Sequence, residues 1–357
     1  MIPNPKDFRI DAADKLCGKT NYIRDEKIDG LWYGGTIRCP YARARVKKIV
    51  FDSEFNWETV TVVTAKDIPN NYVSMLENDM VFLVDEIANY AGEPVVVIAA
   101  ADTATLEQAK KHVQIEYEEL PAIFDMLESE VSEIKIFGEK NIFKEILIEN
   151  GDLEIAKQNA EHKIEIEVRT GFQEQAYLEP QGIVAIPEQD RIVIRGSMQC
   201  PYYVKGALDT MFDNKKHITV IHVPSFHKDT AYVDNKGKIL GLDLNLILDG
   251  GAYCTLSQVV LARAALTATG CYFVPNIRIL AKAVATNTVP NGAFRGFGGP
   301  QAVFAIEMLM EKIAHELGLN PKDVREINMI EQGQQTPTGQ KINLKNTKNR
   351  TGKFWSG

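Results

Sequence analysis

Asn291–Gln301 reads NGAFRGFGGPQ and runs directly into an amphipathic stretch, and this junction constrains the fold more than any other feature. Gly292, Gly296, Gly298 and Gly299 give a backbone that can turn sharply and approach a ligand closely. Behind them Val303, Ile306, Leu309, Met310, Ile313 and Leu317 recur at helical spacing, and Gly318 supplies a stop. The spacing predicts a helix from about Pro300 to Leu317 whose apolar face needs a second layer to cover it. Within the loop, Arg295 is a fork of donors suited to phosphate, carboxylate or oxo groups. Phe294 and Phe297 can wall an apolar pocket or stack on a planar ring. The helix N-terminus behind them adds backbone N–H groups. Read from its glycines alone, the motif is equally well explained as a tight turn carrying a surface arginine.

The rest of the chain predicts an α+β fold in two parts. In residues 1–125, Lys47–Asp52, Thr59–Thr64 and Pro94–Ala100 have the β-branched clustering of strands. Asp102 then caps a helix running to Lys111, and His112–Tyr117 reads as a further strand. Residues 126–150 are polar and acidic and are expected to be a linker. In residues 151–357 alternation resumes at His162–Arg169, Gly182–Ile186 and Arg191–Arg195, the pattern of half-buried antiparallel strands. A helix is predicted over Pro201–Met211, with strands at His217–Val223 and Lys238–Leu248. From about Gly333 onward the chain is polar and predicts no closing element.

Composition narrows the function classes. With 357 residues and 45% hydrophobic content a sizeable core is possible. The formal charge of −8 disfavours a general nucleic-acid binder, which needs a basic face. The longest apolar run, Pro94–Ala101, is far below the ~20 residues of a membrane span. The N-terminus has no apolar core of a leader, so a cytoplasmic location is expected. Cys17, Cys39, Cys200, Cys254 and Cys271 are scattered, with no CxxC, and the six histidines show no HExxH or HxxxH spacing. Neither a disulfide framework nor a protein-ligated metal is expected. A metal carried inside a bound cofactor stays open.

An ordered set of segments then points to a family. AFRGFGGPQ, preceded by Thr286-Asn287 and followed by Phe304, Ala305 and Glu307, resembles the molybdopterin-binding subunit of the xanthine dehydrogenase/aldehyde oxidase family. Lys15, Gly18, Tyr22 and Asp25 fit its opening pattern. Ile37–Val46, Ala65–Pro69, Tyr90–Ala100 and Tyr117–Ala122 resemble its hammerhead domain. Gln173–Pro180, Ser197–Tyr202 and Asp249–Tyr253 resemble the first part of its molybdenum domain. The resemblance covers about residues 15 to 345. It divides the chain into a hammerhead domain (1–125), the linker (126–150) and a partial molybdopterin-binding domain (151–357).

The resemblance implies a molybdenum hydroxylase, which oxidises a carbon with water as the oxygen source. Electrons then pass to [2Fe-2S] centres and FAD on partner subunits or domains. The molybdenum would be held through the pterin of molybdopterin and not directly by side chains. By position, Gln199, Phe294, Arg295 and Gly296 match the cofactor-binding residues, and Phe297 matches the ring that stacks on substrate. Arg263 stands nine residues before Tyr272, the register of the purine-oxidising members, where a guanidinium can stabilise negative charge on a purine oxygen. The alternative for Arg263 is a helix-surface arginine. Aldehydes and nicotinate-type heterocycles are alternative substrates. Glu174 and Glu179 are expected to support packing and not to act as a catalytic pair, and His222 and His227 are expected to be structural or at the surface.

The sequence also departs from the family pattern. The GGGFGGK-type loop expected after the strand at Ile218–Val223 is missing, and Pro224 onward already resembles sequence several tens of residues further along. The GxGE-type glutamate that serves as base belongs to the C-terminal half, so no catalytic residue is assigned here. The expectation is an incomplete molybdenum subunit: a truncated or split gene product, or a fragment, with a further chain supplying that half if the gene is split. A non-catalytic scaffold is the rival expectation.

Overall fold

A computed structural model describes residues 12–19, 23–25, 27–73, 75–173, 182–188, 192–196, 201–212 and 225–343. A short helix α1 (Ala12–Leu16) precedes the first domain, which comprises β1 (Tyr33–Arg38), β2 (Ala44–Phe51), β3 (Val60–Val63), β4 (Ile87–Ala88), β5 (Pro94–Ala100), α2 (Thr103–Lys111) and β6 (Val113–Glu119). The strands form two antiparallel three-stranded sheets, ordered β1-β5-β3 and β4-β2-β6. Helix α2 starts where expected: the Asp102 carboxylate accepts from the Thr105 amide at 2.8 Å, and Lys110 and Lys111 complement the last turn. Its Leu106 and Ala109 join Val95, Val96, Ile98 and Ala100 in a closed core.

The second domain comprises α3 (Met126–Ser129), β7 (Ile142–Asn150), α4 (Leu153–Asn159), β8 (His162–Arg169), β9 (Ile183–Pro187), β10 (Ile192–Gly196), α5 (Pro201–Met211), β11 (Ser225–Val233), β12 (Ile239–Asp249), α6 (Ser257–Thr267), β13 (Ile277–Val284), α7 (Gly299–Leu317) and α8 (Pro321–Asn328). Its main sheet is ordered β7-β13-β12-β11-β8, while β9 and β10 form a separate hairpin. Among the described residues only β12 and β13 pair in parallel, as the crossover through α6 requires. One face of the sheet, Leu242, Leu244, Leu246 and Leu248, packs with Leu261 of α6 and Ile306, Leu309, Met310 and Ile313 of α7 into one buried cluster. Helix α4 covers part of the other face, where Gly241 leaves no room for a side chain beside Ala156.

Two expectations change. Residues 126–150 do not form a polar linker, because α3 and β7 lie within them and β7 is the sheet's edge strand, paired antiparallel with β13. The charges at Lys144, Glu145 and Glu149 line its exposed positions, and Phe143 is buried at 6%. Val303, expected on the buried face of α7, is 39% exposed. The strand predicted at His217–Val223 lies outside the described residues. Among the described residues no helix is long and apolar enough to cross a membrane.

Candidate functional site

The loop before α7 is built by backbone conformations that its sequence permits. Gly296 (φ 102°) and Gly298 (φ 84°) take the left-handed region, and Phe297 between them does so too (φ 51°). A Cβ at Gly298 would lie 2.6 Å from the Val260 carbonyl oxygen, so the loop sits directly on α6. A left-handed phenylalanine is a costly conformation that its neighbours must impose. It leaves the Phe297 side chain 38% exposed.

Arg295 is exposed in the same turn, and Arg263 is exposed on α6. A Cβ at Gly299 would stand 3.9 Å from Arg263 Nε, which places the Arg263 side chain against the first turn of α7. The fold therefore brings Arg263, Phe294, Arg295, Gly296 and Phe297 to one end of the α6–α7 pair. Among the described residues no carboxylate pairs with either guanidinium. Gln301, in the first turn of α7, holds its Oε1 buried without a hydrogen-bond donor. The Gly299 amide is taken up by the Gly296 carbonyl, and Pro300 has no N–H, so the patch's donors are the two guanidinium forks, set beside an unmatched amide oxygen and an aromatic ring. That donor set fits an anionic, oxo- and phosphate-bearing heterocycle such as a molybdopterin. Gln199, Glu174, Glu179 and His222 lie outside the described residues, and of His227 only the backbone, in β11, is described. No three His, Cys, Asp or Glu side chains are grouped to hold a metal ion among the described residues.

Sequence reasoning missed the support beneath the loop. Asp249, 4% exposed, accepts from the Gly251 amide at 2.9 Å, from Thr286 Oγ1 at 2.7 Å and from Thr288 Oγ1 at 3.3 Å. Burial raises its carboxyl above the usual range, and those hydrogen bonds oppose the shift. Asn291 is tied to the same turn, donating from its amide to the Gly250 carbonyl at 2.9 Å and from Nδ2 to the Asp249 carbonyl at 3.0 Å. Next to it Glu93, 1% exposed, accepts from Tyr253 Oη at 2.5 Å. Burial pushes the Glu93 carboxyl up to about 7. The segments YAGEP and DGGAY were legible only as family-like strings. Nothing in their spacing says that two stretches 160 residues apart meet.

Cavities of about 280 and 330 Å³ lie away from the loop. The first lies between the domains, lined by Asp79, Asp85, Asn89, Phe137 and Tyr253. The second is on the open sheet face beside Leu127, Leu280 and Lys282. Neither is lined by Arg263, Arg295 or Phe297.

Comparison with known proteins identifies both domains. The family model described as "Molybdopterin cofactor-binding domain" matches residues 136–226 and 213–329. That described as "Aldehyde oxidase and xanthine dehydrogenase, a/b hammerhead domain" matches 17–121. The chain is 27% identical to a probable xanthine dehydrogenase subunit of Bacillus subtilis, over 92% of this chain and 51% of that protein. It is 26% identical to the "Nicotinate dehydrogenase large molybdopterin subunit" of Eubacterium barkeri, over 93% of this chain and 90% of that one. The chain thus spans about half of the first relative and nearly all of the second. An alignment of 381 positions that draws on 92% of a 357-residue chain runs several tens of positions opposite gaps in it. The aldehyde oxidoreductase of Desulfovibrio gigas shares the fold with a TM-score of 0.82 at 24% identity, over 93% of this chain and 44% of that one. The chain belongs to the xanthine dehydrogenase/aldehyde oxidase family, within which it corresponds to the hammerhead domain and a portion of the cofactor-binding domain of the molybdopterin subunit.

Proposed function

We propose that this chain is the molybdenum-cofactor-binding component of a xanthine dehydrogenase-type oxidoreductase that hydroxylates a purine or a related N-heterocycle. The observation that carries the reading is the grouping of Arg295 and Phe297, in the glycine-rich loop, with Arg263 of α6 beside the first turn of α7. Arg295 would hold the anionic part of the cofactor, together with Gln199 in the family's pattern. When bound, the cofactor supplies the metal centre at which substrate is oxidised. Phe297 would lie flat against the substrate ring, and Arg263 would stabilise charge developing on a ring oxygen in a site that excludes water. Purines are favoured over aldehydes or nicotinate by Arg263 alone, since the relatives carry names from both the xanthine and the nicotinate classes.

Completion of the site by a second polypeptide is part of the same reading. The outer side of α6 and α7 exposes Val259, Leu266, Val303, Phe304 and Met308 beside Phe297. Single exposed apolar residues are ordinary, but a row of them on two adjacent helices marks a surface to be covered. Its occupant is the remaining part of the molybdenum subunit, which the Bacillus subtilis relative carries beyond the span matched here. The Eubacterium barkeri subunit, matched over 90% of its length, is a separate large molybdopterin subunit of about this extent. Iron–sulfur and FAD partners in the cytoplasm would take the electrons. A non-catalytic scaffold is the second reading, favoured by the positions opposite gaps in this chain.

The test is the molybdenum-to-protein ratio, by elemental mass spectrometry, of the chain purified from a molybdenum-replete host with its co-purifying partners. A near-stoichiometric ratio that falls on Arg295→Ala supports the cofactor site, and absence of molybdenum supports the scaffold. In a loaded complex, Arg263→Glu is expected to lose purine turnover preferentially; equal loss on aldehydes refutes the purine role.

A further inference from the structure

We infer that the hammerhead domain fixes the position of the Arg295 loop through a buried polar clamp in which Glu93 and Tyr253 are positioning residues. The inference rests on the cofactor reading of that loop, but the clamp itself is argued from contacts within this chain.

On the hammerhead side, Glu93 precedes β5. One carboxylate oxygen accepts from Tyr253 Oη at 2.5 Å, and the other accepts from the Asn89 amide at 2.5 Å. Asn89 reaches the second domain twice. Its Nδ2 donates to Tyr253 Oη at 3.3 Å, and its carbonyl accepts from Asn287 Nδ2 at 2.8 Å. Asp79 adds a third tie, accepting from the Cys254 amide at 2.7 Å. The Tyr90 ring stands edge-on to that of Tyr253, with centroids 6.3 Å apart.

On the other side, these contacts land on Tyr253, Cys254 and Asn287, residues of the two segments that hold the start of the loop. Tyr253 ends the Asp249–Tyr253 turn, where a Cβ at Gly251 would come within 2.3 Å of the Val289 carbonyl oxygen. The turn holds Asn291 by two hydrogen bonds, and Thr255 Oγ1 donates to the Asn291 carbonyl. Arg295 follows four residues later. The path from hammerhead to loop therefore runs Glu93, Tyr253, the 249–251 turn, residues 289–291 and Arg295. Glu93, Tyr253, Asp249 and Asn291 are each no more than 5% exposed, so water cannot replace a broken bond cheaply. An apolar contact would seal the junction without fixing an orientation. Met80, Tyr90 and Ala252 already provide that seal. The carboxylate–phenol pair adds direction, which is what a loop that must aim a guanidinium requires.

The experiment is hydrogen–deuterium exchange of the full chain, read by mass spectrometry at residues 289–299. Tyr253→Phe removes only the hydroxyl, and is expected to speed exchange there about tenfold, the equivalent of one lost hydrogen bond. Amides of β2 and β13 should keep their rates. Glu93→Gln, which retains a carbonyl oxygen to accept from Tyr253, should give a smaller increase at the same residues. Asp102→Ala, which weakens the hammerhead at the cap of α2, should leave residues 289–299 unchanged. No change in Tyr253→Phe, a uniform rise across β2 and β13, or an equal loosening of the loop in Asp102→Ala would each overturn the clamp. No cofactor enters the measurement, so its failure leaves the molybdenum reading standing, and an absence of molybdenum leaves the clamp standing.

Discussion

The two domains solve the burial problem differently. In the hammerhead, two small sheets and α2 close on each other, and the apolar positions of α2 are spent inside. In the second domain, α6 and α7 bury one side against the sheet and keep apolar side chains on the other, with Phe304 46% and Leu266 56% exposed. The hammerhead buries the apolar side of its helix between two small sheets, while among the described residues α6 and α7 keep a row of apolar side chains exposed along one side.

That contrast can be broken most sharply in the core. Leu309→Ala, at a fully buried position of α7, is expected to cost about 3 kcal/mol, carried by the second domain alone. The Trp57 indole, which donates to the Asp52 carbonyl at 2.7 Å, reports the hammerhead. In urea, with Trp32 and Trp355 replaced by Phe so that Trp57 is the single fluorophore, the far-UV transition should shift while fluorescence keeps its midpoint, and coincident shifts would show a single cooperative unit.

The next effect concerns pH at the junction. Glu93 keeps its proton up to about 7 when folded, whereas the unfolded carboxyl loses it near 4.5. Stability is therefore fullest below the unfolded value and declines as pH rises toward 7, by on the order of 3 kcal/mol in total. Glu93→Gln should flatten that part of the stability–pH curve, measured by urea midpoints between pH 4.5 and 7.5. An unchanged slope would remove Glu93 from the junction's energetics.

Gly298→Ala should cost about 2 kcal/mol, through its left-handed backbone and its contact with the Val260 carbonyl. The loss should appear in the second domain's transition only. Asp102→Ala, by contrast, should cost about 1 kcal/mol in the hammerhead and leave the second domain unmoved. Smallest of all, Phe304→Gln should change stability by less than about 0.5 kcal/mol, because the side chain is outside the core. A larger loss in thermal unfolding would mean that this face is already covered within the chain.

Local pattern made much of the fold legible. The strands over 162–169, 183–187 and 192–196, the Asp102 cap and the helices α5 and α7 follow from alternation, capping and helical spacing. Strand β7 was hidden because it is an edge: Lys144, Glu145 and Glu149 occupy its open positions and give it the composition of a linker. Val303 misled for the opposite reason, since an apolar residue at core spacing sits on a face of α7 that is exposed among the described residues. Within the site, Arg295 and Phe297 could be picked out because the glycines that bend the loop adjoin them. The Glu93–Tyr253 pair could not, because a buried acid and its phenol partner in another domain leave no local trace.

The pairing of β7 with β13 also sets an order of events on the ribosome. Every hammerhead strand and helix is complete by Glu119, so that domain can fold early. Strand β7 emerges next, yet its neighbour in the sheet begins only at Ile277. Between those two moments the nascent chain carries an unpaired strand edge and half a sheet's worth of leucines. Slow translation or an engaged chaperone has its greatest leverage in that interval, and a premature stop just before residue 277 would release the form of this protein most prone to aggregate.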